Sequence, residues 1–208
     1  MVETDILVTY TLIVLGFVFI PGPATMLTVA RATTSGTRAG LATALGVALG
    51  DVMHTVFAVI GLSALVLASA FLFNLVKYLG AAYLVYLGLK AIFARTAIPG
   101  NDGAIQVSPG AAFRQAVLAE ILNPKTALFF VAFLPQFVNP EGGAVALQLS
   151  VFGAIMIALG FLSTAFFALT AGGIGVWLRT NPTFLRWQGK VVGSVYSLLG
   201  ARLAFEER

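Results

Sequence analysis

Residues Ile6 to Ala30 run without a charged side chain, yet Ile20-Pro21-Gly22-Pro23-Ala24-Thr25 falls inside that run. About twenty such residues cross a bilayer as a helix rising 1.5 Å per residue. The prolines therefore fall at membrane depth. A proline there removes one backbone hydrogen bond and its ring obstructs another, while Gly22 adds freedom, so the helix is expected to kink or split. Hydrocarbon tolerates a broken helix only where protein or a wet cavity satisfies the freed groups. The stretch is thus a candidate site, with an ordinary proline kink as the plainer alternative.

Composition fixes the setting of that run. Of 208 residues, 59% are hydrophobic and 10% charged, against roughly a quarter charged in an ordinary soluble domain. This describes an integral membrane protein. The hydrophobic runs leave room for six helices and no sizeable soluble domain, and the alternation of a transmembrane barrel is absent. No cysteine is present, which removes disulfides and thiolate metal sites. The net charge of +4 suggests topology rather than nucleic acid, because the basic residues sit between hydrophobic runs.

The start, Met1 to Asp5, is acidic rather than basic, so no cleaved signal is expected. The spans are expected at about 6–30, 39–68, 75–93, 111–138, 142–178 and 183–205, with Gly172, Gly173 and Gly175 loosening the end of the fifth. The chain reads as one transmembrane domain, with a first repeat over about 1–94, a polar connector over about 95–110 and a second repeat over about 111–208. Eight of the twelve Lys and Arg residues fall in the connections on one side. The positive-inside rule then puts both termini outside the cytoplasm.

The fourth span is interrupted in the same way by Leu122-Asn123-Pro124-Lys125-Thr126. Ile20-x-x-Pro23-x-Thr25-x-Leu27 recurs as Ile121-x-x-Pro124-x-Thr126-x-Leu128, 101 residues later. In the third and sixth spans, Phe71-Leu72 with Lys77, Gly80 and Tyr83 recurs as Phe184-Leu185 with Lys190, Gly193 and Tyr196, 113 residues later. Three helices per half make the second copy enter the membrane from the opposite side. The fold expected is all-α, six transmembrane helices in two inverted three-helix repeats, with helices 1 and 4 broken at proline motifs. Paired broken helices in inverted halves point to a secondary transporter binding its substrate near the midplane.

These segments also resemble a known family. PGPAT in helix 1, GLATALGVALGDVMHTVFAVIGL in helix 2, LGAAYLVYLGLKAIF in helix 3 and ILNPKTALFFVAFLPQFV in helix 4 are similar to the LysE/RhtB family of bacterial amino-acid exporters. Helix 5 matches only in hydrophobicity. The resemblance implies a six-helix inner-membrane protein, a homodimer, that exports amino acids of the threonine, homoserine or homoserine lactone kind by proton antiport without a cofactor. The motifs specify the family and not the substrate.

Ionised side chains at mid-membrane cost at least about 2.5 to 3.5 kcal/mol, so those present usually pair or function. Asp51 lies about 18 Å along helix 2, near the midplane. His54, three residues on, lies on the same helical side, and a buried carboxylate beside an imidazole can trade protons near neutral pH. The plainer alternatives are an Asp51–Lys125 ion pair and a core histidine held by a hydrogen bond. Gly46 and Gly50 on a similar face would let another helix approach. Lys125 follows the second break, where a helix N-terminus presents free amide donors. Pro21, Gly22, Pro23 and Thr25, with Asn123 and Pro124, would frame two half-helix starts. A zwitterion would meet Lys125 and these amides with its carboxylate and Asp51 with its ammonium. Glu120 reads as a gate or an interfacial charge near the cytoplasmic mouth.

Two other classes compete. Leu49-Gly50-Asp51 faintly resembles the GxGD signature of intramembrane aspartyl proteases, but no second aspartate stands in another span, and GxSxG, HExxH and cysteine nucleophiles are absent. The chain is not expected to be an enzyme. A metal exporter using Asp51, Met53 and His54 would have one histidine, no cysteine and ligands that cannot all face one centre.

Overall fold

The computed structural model describes residues 2–19, 21–68 and 106–180, with isolated helical residues between 78 and 93 and between 187 and 201. Among these every regular element is helical, with no strand. Apart from those isolated residues, Lys190 among them, spans 3 and 6, most of the connector, and the Phe71 and Phe184 motif copies lie outside the described residues.

The first span is two helices, α1 (Thr4–Phe19) and α2 (Pro23–Ser35), inclined at 48°. Gly22 is extended, with φ −114° and ψ −168°, and Pro23 takes the first helical position, where its missing N–H costs nothing and its fixed φ suits the turn. Gly36, at φ 88°, ends α2 in a conformation that glycine adopts without steric penalty. The chain turns directly into α3 (Thr37–Ala68), whose apolar stretch Thr37–Gly61 is long enough to cross a membrane.

The fourth span is broken as well. Ser108 caps α4 (Pro109–Ile121) by accepting from the Ala111 amide, so helix begins where the sequence suggested connector. Asn123 then caps α5 (Pro124–Leu128), and the two segments are inclined at 43°. Beyond Leu128 the chain is not a regular α-helix. It passes through a π turn, Phe129–Phe133, and a 3-10 turn, Leu134–Phe137. Pro135 explains the change: it offers no amide to the Val131 carbonyl, and the Leu134 amide reaches back five residues to Phe129 instead. After the 3-10 turn Pro140–Gly142, α6 (Val145–Thr180) runs unbroken. Gly172, Gly173 and Gly175 do not interrupt it, since a helix that satisfies its own backbone has no reason to open in lipid.

Helix α3 is the centre of the packing, touching α4 on one side and α6 and α2 on others. Glycines set its close approaches. A Cβ at Gly46 would come 2.8 Å from Ala116 Cβ and run into the Phe113 carbonyl, and one at Gly50 would lie 2.5 Å from Glu120 Cβ. Aromatics pack α1 against its neighbours: Tyr10 is fully buried, its hydroxyl donates to the Phe152 carbonyl at 3.0 Å, and Phe17 packs on Phe129 with ring centroids 4.6 Å apart. Outward faces carry Leu45, Leu49, Phe57 and Ile60 on α3 and Leu162, Phe166 and Leu169 on α6, all exposed. Such faces suit lipid. With two continuous apolar spans and two broken ones among the described residues, this is a multi-pass membrane protein.

The glycine contacts generate a first prediction. Gly46→Leu should destabilise the detergent-solubilised protein by about 1–3 kcal/mol or more through overpacking. Gly16→Leu, on an exposed face with nothing within 4 Å of its Cβ position, should change stability by under about 0.5 kcal/mol. Thermal unfolding of the two variants side by side checks this, and equal effects would mean that α3 and α4 do not meet at Gly46.

Candidate functional site at the two helix breaks

Each proline orphans the carbonyl four residues before it. The helical partner of the Phe17 carbonyl would be the amide of residue 21, a proline. Lys125 supplies the donor instead, with Nζ 3.3 Å from Phe17 O and 4.2 Å from the centroid of the Phe17 ring. The next carbonyl, Val18, faces an extended Gly22, and Ser163 Oγ on α6 donates to it at 2.9 Å. At the second break the Glu120 carbonyl has lost the amide of residue 124. It accepts from the Asn123 amide and from His54 Nε2 on α3, both at 2.9 Å. A carbonyl only accepts, so His54 carries its proton on Nε2. The imidazole also stacks on Phe130, 5.7 Å between centroids at 17°. His54 thus occupies the core-histidine position, behind the break.

The side chain of Glu120 turns inward from the same point. It is 3% exposed, accepts from Asn123 Nδ2 at 3.1 Å on each oxygen, and takes a short bond from the Thr126 hydroxyl. Glu120, expected as a gate or an interfacial charge, therefore sits in the last turn of α4 and is folded onto the break. Asn123 has two roles, since its Oδ1 also caps the Lys125 amide at 3.0 Å.

Asp51 meets this group from α3. It lies about 21 Å from the start of the helix and is 2% exposed. It lines the same small cavity as Glu120. Gly50 brings α3 close to the Glu120 stem on one side, and on the other Asp51 Oδ2 stands 3.2 Å from the Cβ position of Gly160 on α6. Oδ1 has no hydrogen-bond partner among the described residues.

Between these groups is a cavity of about 40 Å³. Its polar wall consists of Asp51, Glu120, Asn123, Lys125 and Thr126, the start of α2 at Gly22, Pro23, Ala24 and Thr25, and Thr164; its apolar wall is Phe17, Val18, Val47, Met156 and Gly160. One water needs about 10–15 Å³ on this measure. The cavity therefore has room for no more than a few waters and would have to widen to hold an amino acid. Gly22, Pro23, Thr25, Asp51, Asn123 and Lys125 line one cavity together with Glu120, which the sequence alone suggests nearer the cytoplasmic mouth, whereas Pro21, Pro124 and His54 do not line it. Thr126, Ser163, Met156, Gly160 and Thr164 had not been singled out as site residues. The polar pair Ser163-Thr164 within an apolar run was the available signal. No three His, Cys, Asp or Glu side chains converge among the described residues, and Met53 does not line the cavity.

A family model of LysE type translocators matches residues 15–207. The chain belongs to that family. An uncharacterized membrane protein, YrhP, of Bacillus subtilis is 35% identical over 198 residues, covering 91% of this chain and 93% of the relative. A leucine efflux protein of Salmonella typhimurium is 29% identical over 197 residues, covering 94% and 93%. An uncharacterized membrane protein of Vibrio cholerae is 31% identical over 202 residues, covering 97% and 98%. No solved structure matches. This LysE type translocator is accordingly a transport protein and not an enzyme, with a small-molecule substrate.

The geometry of the second break predicts distinct effects for two substitutions at His54. His54→Phe keeps the stacking surface but removes one donor from the Glu120 carbonyl, which keeps the Asn123 amide, at a cost of about 0.5–1.5 kcal/mol, and should accelerate amide exchange in residues 118–126. His54→Gln retains an N–H and should restore most of the protection. Equal exchange in the two variants would show that the imidazole N–H does not hold the break.

Proposed function

We propose that this translocator exports a neutral amino acid across the inner membrane in exchange for protons, binding it between the two helix breaks. The observation carrying this reading is that one cavity joins a buried carboxylate oxygen without a partner among the described residues, Asp51 Oδ1, to a lysine and a helix N-terminus. These match the two ends of a zwitterion. The ammonium goes to Asp51, and the carboxylate goes to Lys125 and the first amides of α2, where the helix dipole favours negative charge. Val18, Val47 and Met156 offer an apolar wall to an aliphatic side chain, consistent with relatives named leucine efflux proteins. A second reading, threonine or homoserine, draws on the hydroxyls of Thr25, Thr126 and Thr164 in the same lining. Asp51 exchanges the proton.

The same reading includes a single transmembrane domain of two inverted repeats, about 1–94 and 111–208, joined by a connector at about 95–110. Its support is that α3 braces the second break through His54 while α6 braces the first through Ser163. These two positions are 109 residues apart, as are Asp51 and Gly160, which face each other. That offset lies between the 101 and 113 of the motif copies. Both termini outside the cytoplasm and a homodimeric assembly complete the proposal, the first from the basic connections and the second from the family resemblance.

Proteoliposomes preloaded with labelled leucine test the reading. Under an acid-outside gradient, efflux should exceed that of protein-free vesicles and be competed better by unlabelled leucine than by threonine. Asp51→Asn should reduce gradient-driven efflux to the protein-free rate with the protein still folded, and His54→Gln should be milder. Wild-type rates in Asp51→Asn would remove Asp51 from coupling, and the absence of efflux for any amino acid would overturn the substrate class.

A further inference from the structure

The proposed transport reading assigns a single carboxylate, Asp51. Glu120 does more than shape the wall. It is buried nearly as completely, it comes from a different helix, and it lines the same small cavity as Asp51. Glu120 is fixed in that position by three bonds from Asn123 and Thr126, and Gly50 brings the α3 backbone against its stem. Two buried carboxyl groups lining one small low-dielectric cavity do not both stay ionised without a compensating charge; they hold a proton or a cation.

We propose that Asp51 and Glu120, brought together from α3 and the end of α4 at the second break, form one carboxyl pair that holds either a single shared proton or the ammonium of the substrate, and that this exclusion couples the two fluxes. The inference rests on the proposed transport reading. Its step is balanced without any other reactant. The arriving ammonium keeps its three protons and takes the place of the shared proton, which leaves to water on the side to which the cavity has opened. On the opposite side a proton returns and the ammonium departs. The other titratable groups near the pair have separate roles. Lys125 on α5 lines the same cavity as both carboxyls, with its ammonium held on the Phe17 carbonyl and available to the substrate carboxylate in the proposed reading, His54 on α3 is held on the Glu120 carbonyl, and Tyr10 on α1 donates to Phe152. The cavity-lining residues of α2 and α6 carry no titratable side chain.

Two readouts on the purified full-length protein test the pair. In weak buffer with a pH indicator, leucine binding to the wild type should release about one proton per leucine bound. In Glu120→Gln the release should fall about tenfold or more, because an amide does not share an acidic proton. The second readout needs no substrate: the infrared C=O stretch of a protonated carboxyl should be present in the wild type and lost in both Asp51→Asn and Glu120→Gln. A wild-type band that persists in Glu120→Gln, or unchanged proton release in that variant, would overturn the pair and leave Asp51 acting alone. A band lost in both variants, together with failure to bind any amino acid, would support the pair while removing the amino-acid reading.

Discussion

The structure depends on the absence of amide donors at Pro21, Pro23 and Pro124, in segments where lipid offers no substitute. In water a carbonyl orphaned by proline is solvated at little cost; inside a bilayer it requires a protein donor. Each break is consequently bound to another helix by a side chain that replaces a missing N–H: Lys125 at Phe17, Ser163 at Val18, His54 at Glu120. The bonds that repair the helices also bring polar side chains from α3, α5 and α6 to one depth. The site is a consequence of satisfying the backbone.

This arrangement joins fold and transport in a specific way. Lys125 is hydrogen-bonded to the end of one half-helix and lines the cavity near the start of the next. A substrate carboxylate drawing Nζ away would loosen the cap on α1. Glu120 is similarly shared, its carbonyl bound by α3 through His54 while the residue lines the cavity beside Asp51. In the proposed reading, ligand chemistry at the cavity and the bend of each span would act on the same residues. A cavity of about 40 Å³ is too small for an amino acid, and widening it means moving the half-helices relative to α3 and α6. The π turn after α5 leaves one span without a rigid ladder beside the site, a common place for such irregularity.

Much of this was legible in the sequence because it follows from residue type alone. Proline positions dictated both breaks, hydrophobic length dictated the continuous spans, and charge within apolar runs pointed to Asp51 and Lys125. Gly46 and Gly50 indicated a close helix contact without naming α4 as the neighbour. What was not legible depended on which face met which. Glu120 is one turn from a polar break, and spacing along the chain could not distinguish a side chain pointing to the membrane surface from one folded back onto Asn123 and Thr126. Ser163 is an ordinary helix serine until a carbonyl without an amide is set against it. The π turn at Phe129–Phe133 arises from Pro135 acting on a carbonyl four residues away, in a run that reads as plain helix.

The most direct test of the account uses the fact that the chain has no cysteine, so a single introduced thiol reports one position. Thr25→Cys lies on the half-helix after the first break and Thr126→Cys on the half-helix after the second, and both positions line the cavity. Alkylation by a small thiol reagent in membranes should be slowed by saturating leucine at both. Protection at one break only, or at neither while leucine is transported, would contradict a single site built from the two breaks.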